Sequence, residues 1–139
     1  MARSDPFVET LATVPLFSAC SKKELQLVAR GAERLTVDAG KVIVTEGSAG
    51  AEFFVIVSGA ARVERSGRKV ASLGPGAFFG DLALLDRAPR NASVIAESPM
   101  ELAKVGQRAF DDLLDVPGFS KKLLAGLARR LRQEDAKTR

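Results

Sequence analysis

The sequence predicts an α+β fold that is mainly β, an antiparallel barrel or jelly roll with helices at both ends of the chain. Three observations predict it. Apolar residues recur at helical spacing before residue 32 and after residue 106, they alternate with polar residues between those points, and glycines separate the alternating runs. No long helical run interrupts the strands, which favours antiparallel pairing.

Two short helices are predicted within residues 1–31. The first apolar run at helical spacing ends at Pro15. Ser21 and Glu24 have the spacing of a capping box, so a second helix is expected to begin there, and Gly31 is placed to end it.

Strands are predicted throughout residues 32–106, where the apolar period falls to about two. A turn is expected at Ser66–Gly67, and Gly59 is expected to join or bend two strands. The runs are, in chain order, AERLTVD, KVIVTEG, EFFVIVS, AARVER, RKVASLG, a strand from Ala92, and MELAKVG.

Helical spacing returns over residues 107–139, and Pro117–Gly118 divides this segment into two helices. The last helix is amphipathic and basic. Its apolar stripe is predicted to pack in the core or an interface and consists of Phe119, Leu123, Leu124, Leu127 and Leu131.

The net charge of +4 is concentrated near the end of the chain. Residues 1–117 carry 14 basic and 15 acidic groups, whereas residues 118–139 carry 7 basic and 2 acidic ones. Because the predicted roll is nearly neutral, the charge indicates a solvated basic helix or docking surface, not a groove for nucleic acid.

Composition excludes most catalytic and metal-binding arrangements. The chain has no His and a single Cys, so we expect no imidazole base, no His-ligated metal, no zinc or disulfide framework and no enzyme activity. The N-terminus lacks a signal-peptide pattern, and no run approaches the roughly 18 apolar residues of a membrane span. We therefore expect one soluble, cytoplasmic domain over residues 1–139.

The candidate site lies in residues 74–93, GPGAFFGDLALLDRAPRNAS. A helix that starts near Gly80 would direct the backbone N–H groups of the next three residues, Asp81, Leu82 and Ala83, at one point, which favours a phosphate. Arg90 can supply a fork of donors to that phosphate. The alternative is structural, with glycines in ordinary turns and Arg90 as a solvated loop charge.

The segment FGDLALLDRAPRNASV resembles the phosphate-binding cassette of cyclic nucleotide-binding domains, as in catabolite activator and protein kinase A regulatory subunits. Its usual form is F-G-E-L-A-L, a short loop, then R-[ATS]-A-[TS]-V, and the resemblance extends over nearly the whole chain. It implies an eight-stranded β-roll, a short cassette helix, two C-terminal helices and a regulatory role. The implied ligand is cAMP or cGMP, with no further cofactor and no metal.

The resemblance also implies roles for individual residues. Arg90 would pair with the cyclic phosphate, Asp81 would bind the ribose 2'-hydroxyl, and Ser93 would contact the phosphate or the purine. The implied ligand site consists of Phe79, Gly80, Asp81, Leu82, Ala83, Arg90, Asn91, Ala92 and Ser93.

The chain departs from the family pattern at two positions. Asp81 stands where Glu is usual, which shortens the reach to the ribose by one methylene. Asn91 stands where the family has a small residue or Thr. Because the Thr associated with cGMP is absent, cAMP is favoured.

In the family the last helix closes over the base as a lid. Leu124, Leu127 or Arg130 would then cap the purine by apolar or cation–π contact. Binding would rearrange the C-terminal helices, through which a protein partner or a second copy would read the signal.

Three other functions have specific requirements of the sequence. A cassette without ligand would be a protein-interaction scaffold, with Asp81 and Asn91 as marks of the loss. A jelly-roll metalloenzyme would need His ligands. A transcription factor of the catabolite-activator type would need a helix-turn-helix, whereas only eight residues follow Leu131, so DNA binding by that route is not expected.

Overall fold

Two four-stranded antiparallel sheets form the centre of the molecule. The computed structural model describes residues 6–18, 20–50, 52–80 and 89–138. The sheets have strand orders β1-β8-β3-β6 and β2-β7-β4-β5. The strands are β1 Ala32–Val37, β2 Val42–Val44, β3 Glu52–Ser58, β4 Ala61–Arg65, β5 Arg68–Leu73, β6 Phe78–Phe79, β7 Ser93–Ala96 and β8 Met100–Gly106. The predicted α+β, mainly β, antiparallel roll is confirmed.

Helices precede and follow the strands, as predicted. They are α1 Pro6–Ala12, a 3-10 helix Pro15–Phe17, α2 Lys22–Gly31, α3 Gln107–Leu114 and α4 Pro117–Thr138. The capping box of α2 is present, because the N–H of Glu24 donates to Ser21 Oγ at 3.1 Å and the N–H of Ser21 donates to Glu24 Oε1 at 2.7 Å. The short cassette helix, predicted between β6 and β7, falls on residues 81–88, outside the described residues.

The apolar residues form two clusters, and β3 contributes to both. Phe53 and Val55 point into a helical cluster with α1, α2, α3 and α4, whereas Phe54 and Ile56 point into the interior of the roll. This follows from the alternation of side chains along a strand. The adjacent β6 divides in the same way, with Phe78 in the helical cluster and Phe79 in the roll.

The predicted apolar stripe of the last helix needs one correction. Phe119 and Leu123 are buried and Leu127 packs against the helical cluster, but Leu124 is 65% exposed. Each helical residue turns the chain by about 100°, so a residue next to Leu123 leaves the buried face. Leu131 has its side chain outside the described part of α4.

Candidate functional site

The candidate site is built around Arg90, whose side chain is buried although the residue belongs to a loop. Arg90 is only 7% exposed. Its Nη1 donates to the carbonyl oxygen of Gly80 at 3.0 Å, and its Nη2 donates to the carbonyl oxygen of Glu52 at 3.1 Å. The Glu52 carboxylate lies 3.4 Å from the same Nη2. Arg90 is therefore not a solvated loop charge, and that alternative is wrong. Its guanidinium is buried, and the oxygens around it satisfy its donors, as burial of a charged group requires.

The loop between β2 and β3 holds the backbone of Arg90. The N–H of Arg90 donates to the carbonyl oxygen of Ser48 at 2.9 Å, and the N–H of Gly47 donates to that of Arg90 at 2.7 Å. Gly50, in the same loop, lies directly against the guanidinium. A Cβ at Gly50 would stand 2.6 Å from Arg90 Nε, so a larger residue there would displace the side chain.

Gly80 brings the end of β6 to the guanidinium. Its φ is +85°, in the left-handed region, and a Cβ there would lie 2.5 Å from the Glu52 carbonyl oxygen and 2.8 Å from Arg90 Nη1. Phe79, just before it, stacks on Phe54 with ring centroids 5.0 Å apart. The paired strands β3 and β6 thus position both carbonyl groups that bind Arg90.

The residues after Arg90 lead into β7. Asn91 is exposed, and its carbonyl oxygen accepts a hydrogen bond from Arg65 Nε at 3.1 Å. Ala92 is buried. The Oγ of Ser93 accepts from the N–H of Glu46 at 2.8 Å, which joins β7 to the end of β2.

The structure brings some predicted site residues together and separates others. Gly80 and Arg90 are in contact, with Phe79 and the Asn91–Ser93 segment next to them in the chain. Of the two cap candidates whose side chains are described, Leu124 is exposed and Leu127 packs against the helical cluster. Asp81, Leu82, Ala83 and the Arg130 side chain lie outside the described residues. The ligand roles of all these residues stay predictions.

Sequence analysis missed Glu52 and Gly50. Glu52 is 38 residues from Arg90 along the chain and contacts it partly through its backbone carbonyl, which carries no residue-type signature. Gly50 can lie against the guanidinium only because it has no side chain. The available signal was the short Gly47–Gly50 segment before an apolar strand, but nothing in it points to Arg90.

The described part of the site offers a group that can bind an anion. No group of three or more His, Cys, Asp or Glu within the described ranges is arranged to hold a metal ion. Burial, and secondarily the charge of Glu24, raises the pKa of the Cys20 thiol, which disfavours the thiolate form. A buried arginine beside two backbone carbonyl groups and one carboxylate can exchange an anionic partner.

Comparison with known proteins gives concordant results. A family model described as the cyclic nucleotide-binding domain matches residues 34–116. A cAMP-dependent protein kinase regulatory subunit of Hypocrea atroviridis is 36% identical over 137 residues, covering 99% of this chain and 28% of the relative. The chain spans 26% to 28% of the length of three such relatives.

Solved structures share the fold. The catabolite activator protein of Thermus thermophilus superposes with a TM-score of 0.75 and 34% identity, covering 89% of this chain and 61% of that one. A protein kinase A regulatory domain bound to Sp-2Cl-cAMPS superposes with a TM-score of 0.82 and 21% identity, covering 96% and 90%. Among the described helices none has the length and apolar character to cross a membrane.

Proposed function

Because the chain belongs to the cyclic nucleotide-binding domain family, we propose that it is a regulatory module that binds a cyclic nucleotide and performs no chemistry on it. The observation that carries the proposal is the buried Arg90. Its guanidinium donates hydrogen bonds to the carbonyl oxygens of Glu52 in β3 and of Gly80, which follows β6. In the phosphate-binding pattern of the sequence, this guanidinium is the partner of the cyclic phosphate. A cytoplasmic location stays a prediction.

The proposed ligand is cAMP. The Hypocrea atroviridis relative is a cAMP-dependent protein kinase regulatory subunit, and one superposed structure holds the cAMP analogue Sp-2Cl-cAMPS. The Thr associated with cGMP is absent, because Asn91 stands at that position. Asn91 is exposed and directly follows Arg90, and on the sequence pattern its amide would contact the purine edge. Asp81 is assigned to the ribose 2'-hydroxyl on the sequence pattern alone.

We also propose that binding changes the packing of the C-terminal helices. Glu52 and Gly80 hold Arg90. Glu52 directly precedes Phe53 in the chain, and Gly80 lies two residues after Phe78. The Phe53 ring lies 5.1 Å from that of Phe110 in α3, and Phe78 lies against Gly126 in α4. A shift of Arg90 towards a ligand would therefore act on both C-terminal helices through two aromatic side chains. The ligand must bind one helix arrangement better than the other for this to signal.

The proposed partner is a second copy of the chain, joined through the C-terminal helices. The exposed charges are acidic in the second half of α3 and at the residue that follows it, and the exposed charges described on α4 are basic. The acidic residues are Asp111, Asp112 and Asp115, and the basic ones are Lys121, Lys122, Arg129 and Arg132. A two-fold axis would set each acidic patch against the basic patch of the other copy, so both contacts form at once.

A second candidate function, a scaffold without ligand, is favoured by one observation. The Glu52 carboxylate already lies beside Arg90, so the guanidinium has an acidic partner from its own chain. On this hypothesis the cassette would persist for its surface and not for a nucleotide.

Thermal unfolding with cAMP and cGMP separates the two functions. A ligand present at 100 times its Kd adds roughly 2.7 kcal/mol to the free energy of unfolding, which raises the melting temperature of a chain of this size by roughly 10 °C. We expect that rise with cAMP and a smaller one with cGMP. No rise with either nucleotide at millimolar concentration would favour the scaffold.

A further inference from the structure

Glu52 supplies two oxygens to one nitrogen of Arg90. Its carbonyl oxygen accepts from Nη2 at 3.1 Å, and its carboxylate Oε2 lies 3.4 Å from the same atom. The two side chains differ in exposure, because that of Arg90 is 5% exposed and that of Glu52 is 38% exposed. The pair therefore has one buried member and one member that can turn towards solvent.

A carboxylate and a phosphate compete for the same guanidinium. Both are anionic acceptors that suit the planar donor fork of arginine. Two anions at one guanidinium repel each other, and the repulsion is largest where burial lowers the effective dielectric constant. The binding of a phosphate at Arg90 therefore requires the Glu52 carboxylate to leave or to tolerate a second negative charge.

We infer that the Glu52 carboxylate is an internal counter-ion of Arg90 that competes with the phosphate of the ligand and so lowers the affinity of the site. This inference rests on the proposed function. The exposure of the Glu52 side chain gives its carboxylate a route into water, while its carbonyl oxygen stays on Arg90.

The distances determine the direction of the effect. The two backbone carbonyl oxygens lie closer to the guanidinium, at 3.0 Å and 3.1 Å, than the carboxylate does at 3.4 Å. The carbonyls therefore hold the orientation of Arg90 without the carboxylate. Removing the charge of Glu52 removes the competitor and leaves the orientation in place.

The test compares Glu52→Gln with Glu33→Gln, a matched control whose carboxylate pairs with Lys104 at 3.5 Å on the surface. Calorimetric titration with cAMP is expected to give a Kd about tenfold lower for Glu52→Gln than for the wild type, and no change for Glu33→Gln. Affinity that is unchanged or weaker in Glu52→Gln overturns the inference, and weaker binding assigns Glu52 to positioning Arg90.

Melting temperatures measured with inorganic phosphate test the inference independently of the proposed function. Phosphate is expected to raise the melting temperature of Glu52→Gln more than that of the wild type or Glu33→Gln, whether or not a nucleotide binds. If no protein binds either cyclic nucleotide, the proposed function is wrong and the phosphate comparison alone decides the inference. Equal responses to phosphate overturn it. Nucleotide binding gained only in Glu52→Gln supports it and makes the wild-type chain a scaffold.

Discussion

At the scale of single residues, Arg90 has a structural role and a proposed ligand-binding role, and the two must be tested separately. Its side chain satisfies two carbonyl groups and a carboxylate, so truncation to Ala would leave these oxygens without their donor as well as removing the phosphate partner. A carbonyl oxygen left without its donor costs roughly 1 to 3 kcal/mol of stability, whereas the Glu52 carboxylate, which is 38% exposed, can be hydrated. A substitution that keeps the charge is therefore the sharper probe.

Gly50→Ala tests the position of the guanidinium without changing Arg90. The new Cβ would lie 2.6 Å from Arg90 Nε and 2.8 Å from Cζ, so the side chain must move. Loss of one hydrogen bond to a charged ligand is expected to weaken cAMP binding by about tenfold or more, measured by calorimetry.

The control for that substitution is Gly74→Ala, because a Cβ at Gly74 meets no atom within 4 Å. Its affinity is expected to match the wild type. Equal affinity in Gly50→Ala and Gly74→Ala would show that the ligand does not depend on this placement of Arg90.

The residue types in the sequence predicted two members of this site, Gly80 and Arg90, but not Glu52 or Gly50. Gly80 and Arg90 were predicted because a helix start after a glycine and a guanidinium both favour a phosphate. Glu52 was missed because its hydrogen bond comes from the backbone, and Gly50 was missed because its contribution is the absence of a side chain. Contacts of that kind depend on which strands become neighbours, which the local sequence does not specify.

At the scale of elements, β3 and β6 connect the site to the helices. Each strand directs one Phe into the roll and the next into the helical cluster, where Phe53, Phe78 and Phe110 have neighbouring rings. The sequence predicted β3 from the run EFFVIVS and predicted no strand at Phe78–Phe79. It did not predict which helix they would contact, because side chains on both faces of β3 are apolar.

Gly126→Ala tests how closely α4 packs on β6. In a helix, Ala is favoured over Gly by about 1 kcal/mol, so propensity alone would raise the melting temperature. At this position a Cβ would lie 2.6 Å from Phe78 Cζ, in a fully packed cluster, so we expect the melting temperature to fall instead.

Ala125→Gly, on the exposed face of the same helix, calibrates the propensity term. It is expected to lower stability by about 1 kcal/mol. A higher melting temperature for Gly126→Ala would contradict the close contact between α4 and Phe78. The spacing of apolar residues predicted that Leu124 packs on the core, whereas the close contact is made at Gly126. Hydrophobicity does not identify that position, because glycine has no side chain.

At the scale of the whole molecule, the uneven charge is a property of the C-terminal helices. The sequence total of +4 arises from residues beyond 117, and the structure exposes Lys121, Lys122, Arg129 and Arg132 on α4. The acidic patch of α3 lies just before them in the chain. This separation of charge is the basis of the proposed homodimer.

Charge reversal tests that dimer. We expect the wild-type chain to sediment as a dimer at low salt, and the double substitution Lys121→Glu and Lys122→Glu to sediment as a monomer because both patches then repel. Lys41→Glu with Arg68→Glu, which makes the same change of charge at two exposed positions of the roll, should leave the dimer intact. A wild-type chain that stays monomeric at all concentrations would contradict the proposal.

The central claim, that Arg90 receives the phosphate of a cyclic nucleotide, is tested most directly by titrating cAMP into three proteins: the wild type, Arg90→Lys and Arg34→Lys. Arg34 is an exposed arginine of β1 paired with Glu101, so its substitution controls for the loss of a guanidinium. Lysine keeps the charge but not the fork of donors. With each protein held well below its melting temperature, we predict measurable binding by the wild type and by Arg34→Lys, and binding roughly 10- to 100-fold weaker by Arg90→Lys. Binding by Arg90→Lys as tight as that of the wild type would contradict the account.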